Sequence, residues 1–267
     1  MQQQIPSVIA PLLDGYLTTV EQQLPGLVVG FYLHGSIALG TFNERSSDID
    51  ALAVVSRRCT PSDIDALKAI HQKMQKDTPR PFLEVSYLQA SDLGQLEDQV
   101  EAHPYSHDGK LYPSGHFEIN SVTWWILKNR GITLKGTPAA DLNFAVDWDR
   151  LIANMRINLN SYWLSYTRNP QRIAWLLSDY GVQWAVTGVL RQYYSFREGG
   201  ITSKDGAGRY ALDHVPEKWH RLIQEALNIR SGTHQVLYGS SVVRALDAFR
   251  FLNYIIRESN NLSGAVD

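Results

Sequence analysis

The sequence predicts an α+β protein: an α/β layer domain over residues 1–150, followed by an all-α helical bundle over residues 151–267. Three observations carry this. Compact β-branched and aromatic runs, suited to buried strands, occur only in the first half. There they alternate with amphipathic patterns in the order helix, strand, loop, strand, helix, strand, the signature of stacked layers. After about residue 148 only the helical period persists, as in a bundle.

Each element has its own reason. Ile5, Val8, Ile9, Leu12, Leu13, Tyr16 and Val20 recur at three-and-four spacing, one face of a helix that Pro25-Gly26 ends. Residues 27–33 (LVVGFYL) read as a buried strand, and Gly35 and Gly40 punctuate the polar loop after it. Residues 50–55 (DALAVV) form a second strand. Residues 61–76 form a helix with Thr60 as its N-cap, and residues 81–88 (PFLEVSYL) a third strand. Residues 120–130 read as helical, and Gly131 to Gly136 as a short connector. Beyond the break, Trp148, Leu151, Ile152, Met155, Leu159, Tyr162, Trp163 and Tyr166 keep a helical period. Further helical runs cover about 171–197, 216–229 and 240–258.

Composition narrows the function classes. Of 267 residues, 44% are apolar and 19% charged, proportions of a globular protein rather than a disordered one. The 25 Lys plus Arg against 27 Asp plus Glu leave a net charge of -2, without the basic excess of a generic nucleic-acid binder. A single cysteine, Cys59, excludes an internal disulfide and a thiol-based zinc cluster. The eight histidines form no pair at metal-ligand spacing on one element, so no zinc site is expected. Apolar runs fall far short of the ~18 residues of a membrane span. The start Met1-Gln2-Gln3-Gln4 lacks the order of a signal peptide. The expectation is a cytoplasmic monomer with neither nucleic-acid nor membrane partners. The tryptophans Trp124, Trp125, Trp148, Trp163, Trp175 and Trp184 follow helical spacing and are expected in cores.

One stretch carries chemistry: His34-Gly35-Ser36, eleven residues, then Asp48-Ile49-Asp50. A Gly at a strand end lets the backbone approach a phosphate, and backbone N–H groups with a hydroxyl bind anionic oxygens. Strand side chains alternate, so carboxylates at i and i+2 point to one face. Two such carboxylates are hard oxygen ligands suited to Mg²⁺ beside a nucleoside triphosphate. Glu84, inside the apolar third strand, is a charge costly to bury unless it meets a cation or moves a proton. Each feature alone has a bland reading, as a turn cap or a solvent-facing strand residue. Their ordered conjunction forms one device for metal and triphosphate.

The segment HGSIALGTFNERSSDIDALAVV resembles the signature of the nucleotidyltransferase superfamily with the polymerase-β-like fold. GITLKG at 131–136 and VTGVLRQYYSFREGGITSKDG at 186–206 narrow the resemblance to the aminoglycoside adenylyltransferases that modify streptomycin and spectinomycin. It covers roughly residues 30–230. The resemblance implies a nucleotidyltransferase domain with a mixed sheet and a helical domain that clamps ATP and substrate. Gly35, Ser36 and Ser47 would contact ATP phosphates, Asp48 and Asp50 would bind Mg²⁺, and Glu84 would be the catalytic base. Arg191, on a helix, and Lys204, on the next loop, would reach the triphosphate, with substrate in the cleft between domains. Arg230 stands where the family places an adenine-stacking aromatic. Gly181 stands where an acid contacts streptomycin, with Asp179 two positions away.

Charge distribution fits this layout. Residues 81–120 hold seven acids against one base, and residues 168–209 six bases against three acids. A cationic drug favours the first surface, ATP phosphates the second. The expected activity is therefore transfer of AMP from Mg-ATP to an antibiotic hydroxyl, conferring resistance. Two rivals stay open: a nucleotidyltransferase acting on a protein or an RNA end, and an inactive nucleotide-binding regulator. The missing basic stripe counts against RNA. Retention of Asp48, Asp50 and Glu84 together counts against the regulator, since binding alone needs no base.

Overall fold

The computed structural model describes residues 5–233 and 235–262. The chain divides between Val146 and Asp147 into two compact units.

In the first unit, helix α1 (Ala10–Gln23) leads to strand β1 (Val28–Leu33), a single helical turn α2 (Gly35–Ala38) and strand β2 (Ile49–Val55). Helix α3 (Pro61–Asp77) and strand β3 (Leu83–Gln89) follow. Strands β4 (His103–His107) and β5 (Lys110–Gly115) precede helix α4 (Ser121–Arg130) and strand β6 (Ile132–Lys135). The six strands form one mixed sheet in the order β5-β4-β3-β2-β1-β6. Strands β2 and β3 run parallel, because α3 carries the chain back across the sheet between them. The start of α3 is set by Thr60, whose Oγ1 accepts from the Asp63 N–H while Asp63 accepts from the Thr60 N–H at 2.7 Å.

Alternation sends side chains to two cores. Phe31, Ala51, Ala53, Val85 and Tyr87 pack with α1 and α3. Tyr32, Leu52, Val54 and Leu88 pack on the other face with Trp124 and Leu127 of α4. The first core holds a short polar chain. The Tyr87 hydroxyl is 2.7 Å from His71 Nε2 and 2.5 Å from the Tyr16 hydroxyl, so all three buried groups are satisfied.

Three strands differ from the sequence reading. Residues 132–135 form a strand paired antiparallel to β1, with Leu33 opposite Ile132, where a plain connector was expected. The run Ile-Thr-Leu-Lys is too short to reveal its period without its partner. The β4–β5 hairpin was not read at all, although its two-residue turn, Asp108-Gly109, has the Asp-Gly sequence that such turns favour.

The regular secondary structure among the described residues of the second unit is all helical. Helix α5 (Trp148–Asn158) runs into a π turn at Leu159–Trp163 and a 3-10 turn at Leu164–Thr167. Helices α6 (Pro170–Trp175), α7 (Asp179–Glu198), α8 (Lys204–His214), α9 (His220–Ser231) and α10 (Ser241–Asn261) complete it. The expected run over 171–197 is broken at 176–178, where Ser178 caps α7 by accepting from the Gly181 N–H at 3.0 Å. The apolar stripe of α7, including Val182, Ala185, Val186, Val189 and Leu190, is fully buried against the other helices. Among the tryptophans, Trp124 and Trp163 are buried as expected, while Trp125, Trp148, Trp175 and Trp184 are only partly covered. An ion cluster runs from this core to the surface: buried Arg244 reaches buried Glu225 at 3.3 Å and the exposed Asp179 at 2.7 Å.

Candidate active site

Sheet register assembles the carboxylates. In the parallel pair β2–β3, Asp50 lies directly opposite Glu84, so their side chains share a face. That face is the one on which Leu52 and Leu88 meet α4. Asp48 sits just before β2 at the same end.

The loop after β1 closes over this end. The His34 N–H donates to the Asp50 carbonyl at 3.0 Å, and α2 starts at once with Gly35 at φ +55°. Farther along, the Asn43 N–H donates to Ser47 Oγ at 3.1 Å, and Arg45 to the Asn43 side chain at 2.9 Å, which folds the loop back towards β2. Ser47 is thus buried and occupied in holding its own loop. Ser36 differs: its Oγ is buried with no hydrogen-bond partner among the described residues. A buried unsatisfied hydroxyl costs free energy unless a ligand completes it.

Electrostatics mark the site. Burial pushes the Asp48 carboxyl above its usual range, Asp50 adds to the shift, and Arg80 opposes it by donating from a guanidinium nitrogen to Asp48 Oδ1 at 2.9 Å. Glu84 is pushed up to about 7, first by burial and further by Asp48 and Asp50. The Asp108 N–H and His107 work against this shift: both bond Glu84 Oε1, at 3.1 and 2.8 Å. His34 is buried, and burial holds its ring below the ordinary histidine range.

A divalent cation fits this donor set. Asp48 and Asp50 supply hard oxygens whose mutual repulsion a cation relieves, and Ser36 offers the orphaned hydroxyl beside them. Glu84, His107 and Asp108 form a second group, each offering a ligand atom within 4.8 Å of the others. Sequence reasoning missed His107, Asp108 and Arg80. The first two come from the unread hairpin, and Arg80 is remote in sequence from the acid it meets.

The residues expected from the second half lie in the second unit. Arg191 is within α7. Lys204 is not on a loop: it is the first residue of α8, whose N-cap Ser203 accepts from the Gly206 N–H at 3.0 Å. Its Nζ sits 4.1 Å from the centre of the Trp184 ring. Arg230 is buried, with Nε donating to Asp205 at 2.8 Å. Its guanidinium is therefore engaged with an acid rather than presented as an open plane. Asp179 is ion-paired with Arg244, and a Cβ on Gly181 would lie 2.1 Å from the Trp175 carbonyl oxygen, so neither position substitutes freely for the other. Cys59 is partly buried, with its thiol pushed up to about 11 chiefly by burial, which suits an inert side chain.

A strand–Gly-Ser–loop–Asp-x-Asp–strand device with a third acid in the adjacent strand defines a nucleotidyltransferase, and the nucleotidyltransferase domain model matches residues 13–89. Residues 183–250 match the model of the aminoglycoside adenylyltransferase C-terminal domain. With one model matched in each unit, the chain belongs to the aminoglycoside adenylyltransferases of the nucleotidyltransferase superfamily, and it is a transferase of that type. A solved structure of similar fold is the spectinomycin adenyltransferase AAD(9) from Enterococcus faecialis with ATP and spectinomycin. The TM-score is 0.68 at 15% identity, over 92% of this chain and 98% of that one. No curated protein matches.

Proposed function

We propose that the protein transfers AMP from ATP to a hydroxyl of an aminocyclitol or aminoglycoside antibiotic. The observation that carries this reading is the register of Asp50 against Glu84, beside Asp48 and the orphaned Ser36 hydroxyl. Gly35 and Ser36 lie against the triphosphate, with Ser47 shaping the loop. Asp48 and Asp50 hold Mg²⁺, which when bound neutralises phosphate oxygens during displacement. Glu84 takes the proton of the acceptor hydroxyl as its oxygen bonds to the α-phosphorus. The bond from that phosphorus to the bridging oxygen breaks, and pyrophosphate leaves. Most of the acceleration comes from positioning and electrostatics.

Of the two drugs, spectinomycin is the better candidate. Gly181 offers no acid to a streptomycin base, and the nearby Asp179 is already paired with Arg244 at 2.7 Å. AAD(9), of similar fold, was crystallised with spectinomycin. Incubation with radiolabelled ATP, Mg²⁺ and a panel of spectinomycin, streptomycin and other aminoglycosides tests the reading. Label on spectinomycin supports it; label on no drug defeats it.

A further inference from the structure

The β4–β5 hairpin has no role in the reaction as derived so far, yet its turn touches the proposed base. His107 Nδ1 lies 2.8 Å from Glu84 Oε1, and the Asp108 N–H donates to the same oxygen at 3.1 Å. No hydrogen bond among the described residues ends on Oε2. Asp108 adopts φ +48° and Gly109 φ +72°, a left-handed pair that aims the Asp108 N–H inward. A non-glycine residue there is strained, and such strain persists only where the surroundings hold it. The His107 ring is fixed in turn against Phe117, with centroids 4.6 Å apart. Phe117 stacks on Tyr105, which stacks on Tyr112. The imidazole thus sits on an aromatic ladder that directs Nδ1 to the carboxylate, with Nε2 3.4 Å from Asp108 Oδ2.

We propose that His107 is a positioning residue for Glu84. With the Asp108 N–H it occupies Oε1, fixes the plane of the carboxylate, and leaves Oε2 as the oxygen that receives the acceptor proton. The inference rests on Glu84 being the base. A carboxylate held by two donors on one oxygen keeps a single orientation, so less ordering is left for the moment of transfer. The Nδ1 proton directed at Glu84 also sets the tautomer of His107.

The test uses the full-length protein and four variants: His107→Phe, His107→Asn, Glu84→Gln and the double Glu84→Gln/His107→Phe. Phe keeps a ring against Phe117 and removes the donor; Asn places an amide N–H near the former Nδ1. Turnover is measured with Mg-ATP and the drug the wild type modifies fastest. His107→Phe is expected to lower kcat by about tenfold to hundredfold, the range for groups that orient a working ligand, with KM for Mg-ATP unchanged. His107→Asn should recover most of the loss. The double variant should be no slower than Glu84→Gln alone, since two residues acting as a unit are not additive. A readout without substrate is the ¹⁵N spectrum of the metal- and nucleotide-free protein at pH 8, where His107 should carry its proton on Nδ1.

Unchanged kcat in His107→Phe beside an inactive Glu84→Gln overturns the positioning role and leaves the base intact. A raised KM for Mg-ATP in His107→Phe also overturns it, by making His107 part of the nucleotide or metal site. So does an Nε2–H tautomer in the wild type. An active Glu84→Gln removes the base, and the positioning role with it.

Discussion

A Cβ placed on Gly35 would lie 1.7 Å from Asp50 Oδ2. The loop that follows β1 therefore presses its backbone onto a carboxylate of β2, an approach only glycine permits. The left-handed φ of +55° at Gly35 adds a second, independent requirement for glycine.

Gly35→Ala is accordingly expected to cost about 1–2 kcal/mol from backbone alone, and to push Asp50 out of its place opposite Glu84. Calorimetry should show melting lowered by several degrees, and the rate of AMP transfer should fall by more than about a hundredfold. A variant that melts and turns over like the wild type would show that the loop can yield.

Asp48→Asn and Asp50→Asn should each abolish transfer while leaving the circular dichroism spectrum native. The nucleotide-free Asp48→Asn protein should also melt no lower than the wild type, because burial and Asp50 already press on the Asp48 carboxylate. Turnover near the wild-type level in saturating Mg²⁺ would remove the pair from the mechanism.

The pH profile should report Glu84. A base must be ionised to accept a proton, and Glu84 is held up to about 7 by burial and by Asp48 and Asp50. The value of kcat/KM should therefore rise about tenfold per pH unit below 7 and level off above it. Glu84→Gln should lower the rate by about two to four powers of ten and erase this limb. An acidic limb surviving at full slope in Glu84→Gln would assign it to another group.

Stability should show a different acid limb, from His71. Burial holds its ring at about 4 against an ordinary 6.5. Between these values the unfolded chain binds a proton that the folded chain does not, so stability falls as pH drops through this window and is complete above 6.5. The shift corresponds to about 3 kcal/mol at full extent. His71→Gln should flatten the dependence of urea midpoint on pH between 4 and 6.5, at some cost in stability at pH 7 from the lost bond to Tyr87. Identical slopes in the two proteins would exclude His71 as the source.

Arg244 offers a test in the second unit. Glu225 is almost fully buried, and its carboxylate holds both Arg244 and the Leu237 N–H. Arg244→Met should cost about 3–5 kcal/mol by stranding that charge. Adding Glu225→Gln should return much of the loss, which a double-mutant cycle in urea would measure as positive coupling. Strict additivity would show that the ion cluster carries no cooperative energy.

Local pattern was enough to reveal the order of elements through β3, the helical second half and the Thr60 cap, and to single out Gly35, Ser36, Asp48, Asp50 and Glu84 as candidates. Those features depend on side-chain period, on turn chemistry, or on a charge in an apolar run, all of which are written within a few residues. Strand β6 escapes because four residues carry too little period, and Lys204 reads as loop because Gly199-Gly200 and the polar residues after them outweigh the single capping signal of Ser203. Only the tertiary structure decided that Asp50 faces Glu84, since parallel register is set by the α3 crossover and by two cores packing at once. The same holds for Arg80 on Asp48 and His107 on Glu84, contacts between residues 32 and 23 positions apart. Such pairings are selected by the free energy of burying the whole sheet, and no short stretch of sequence encodes that choice.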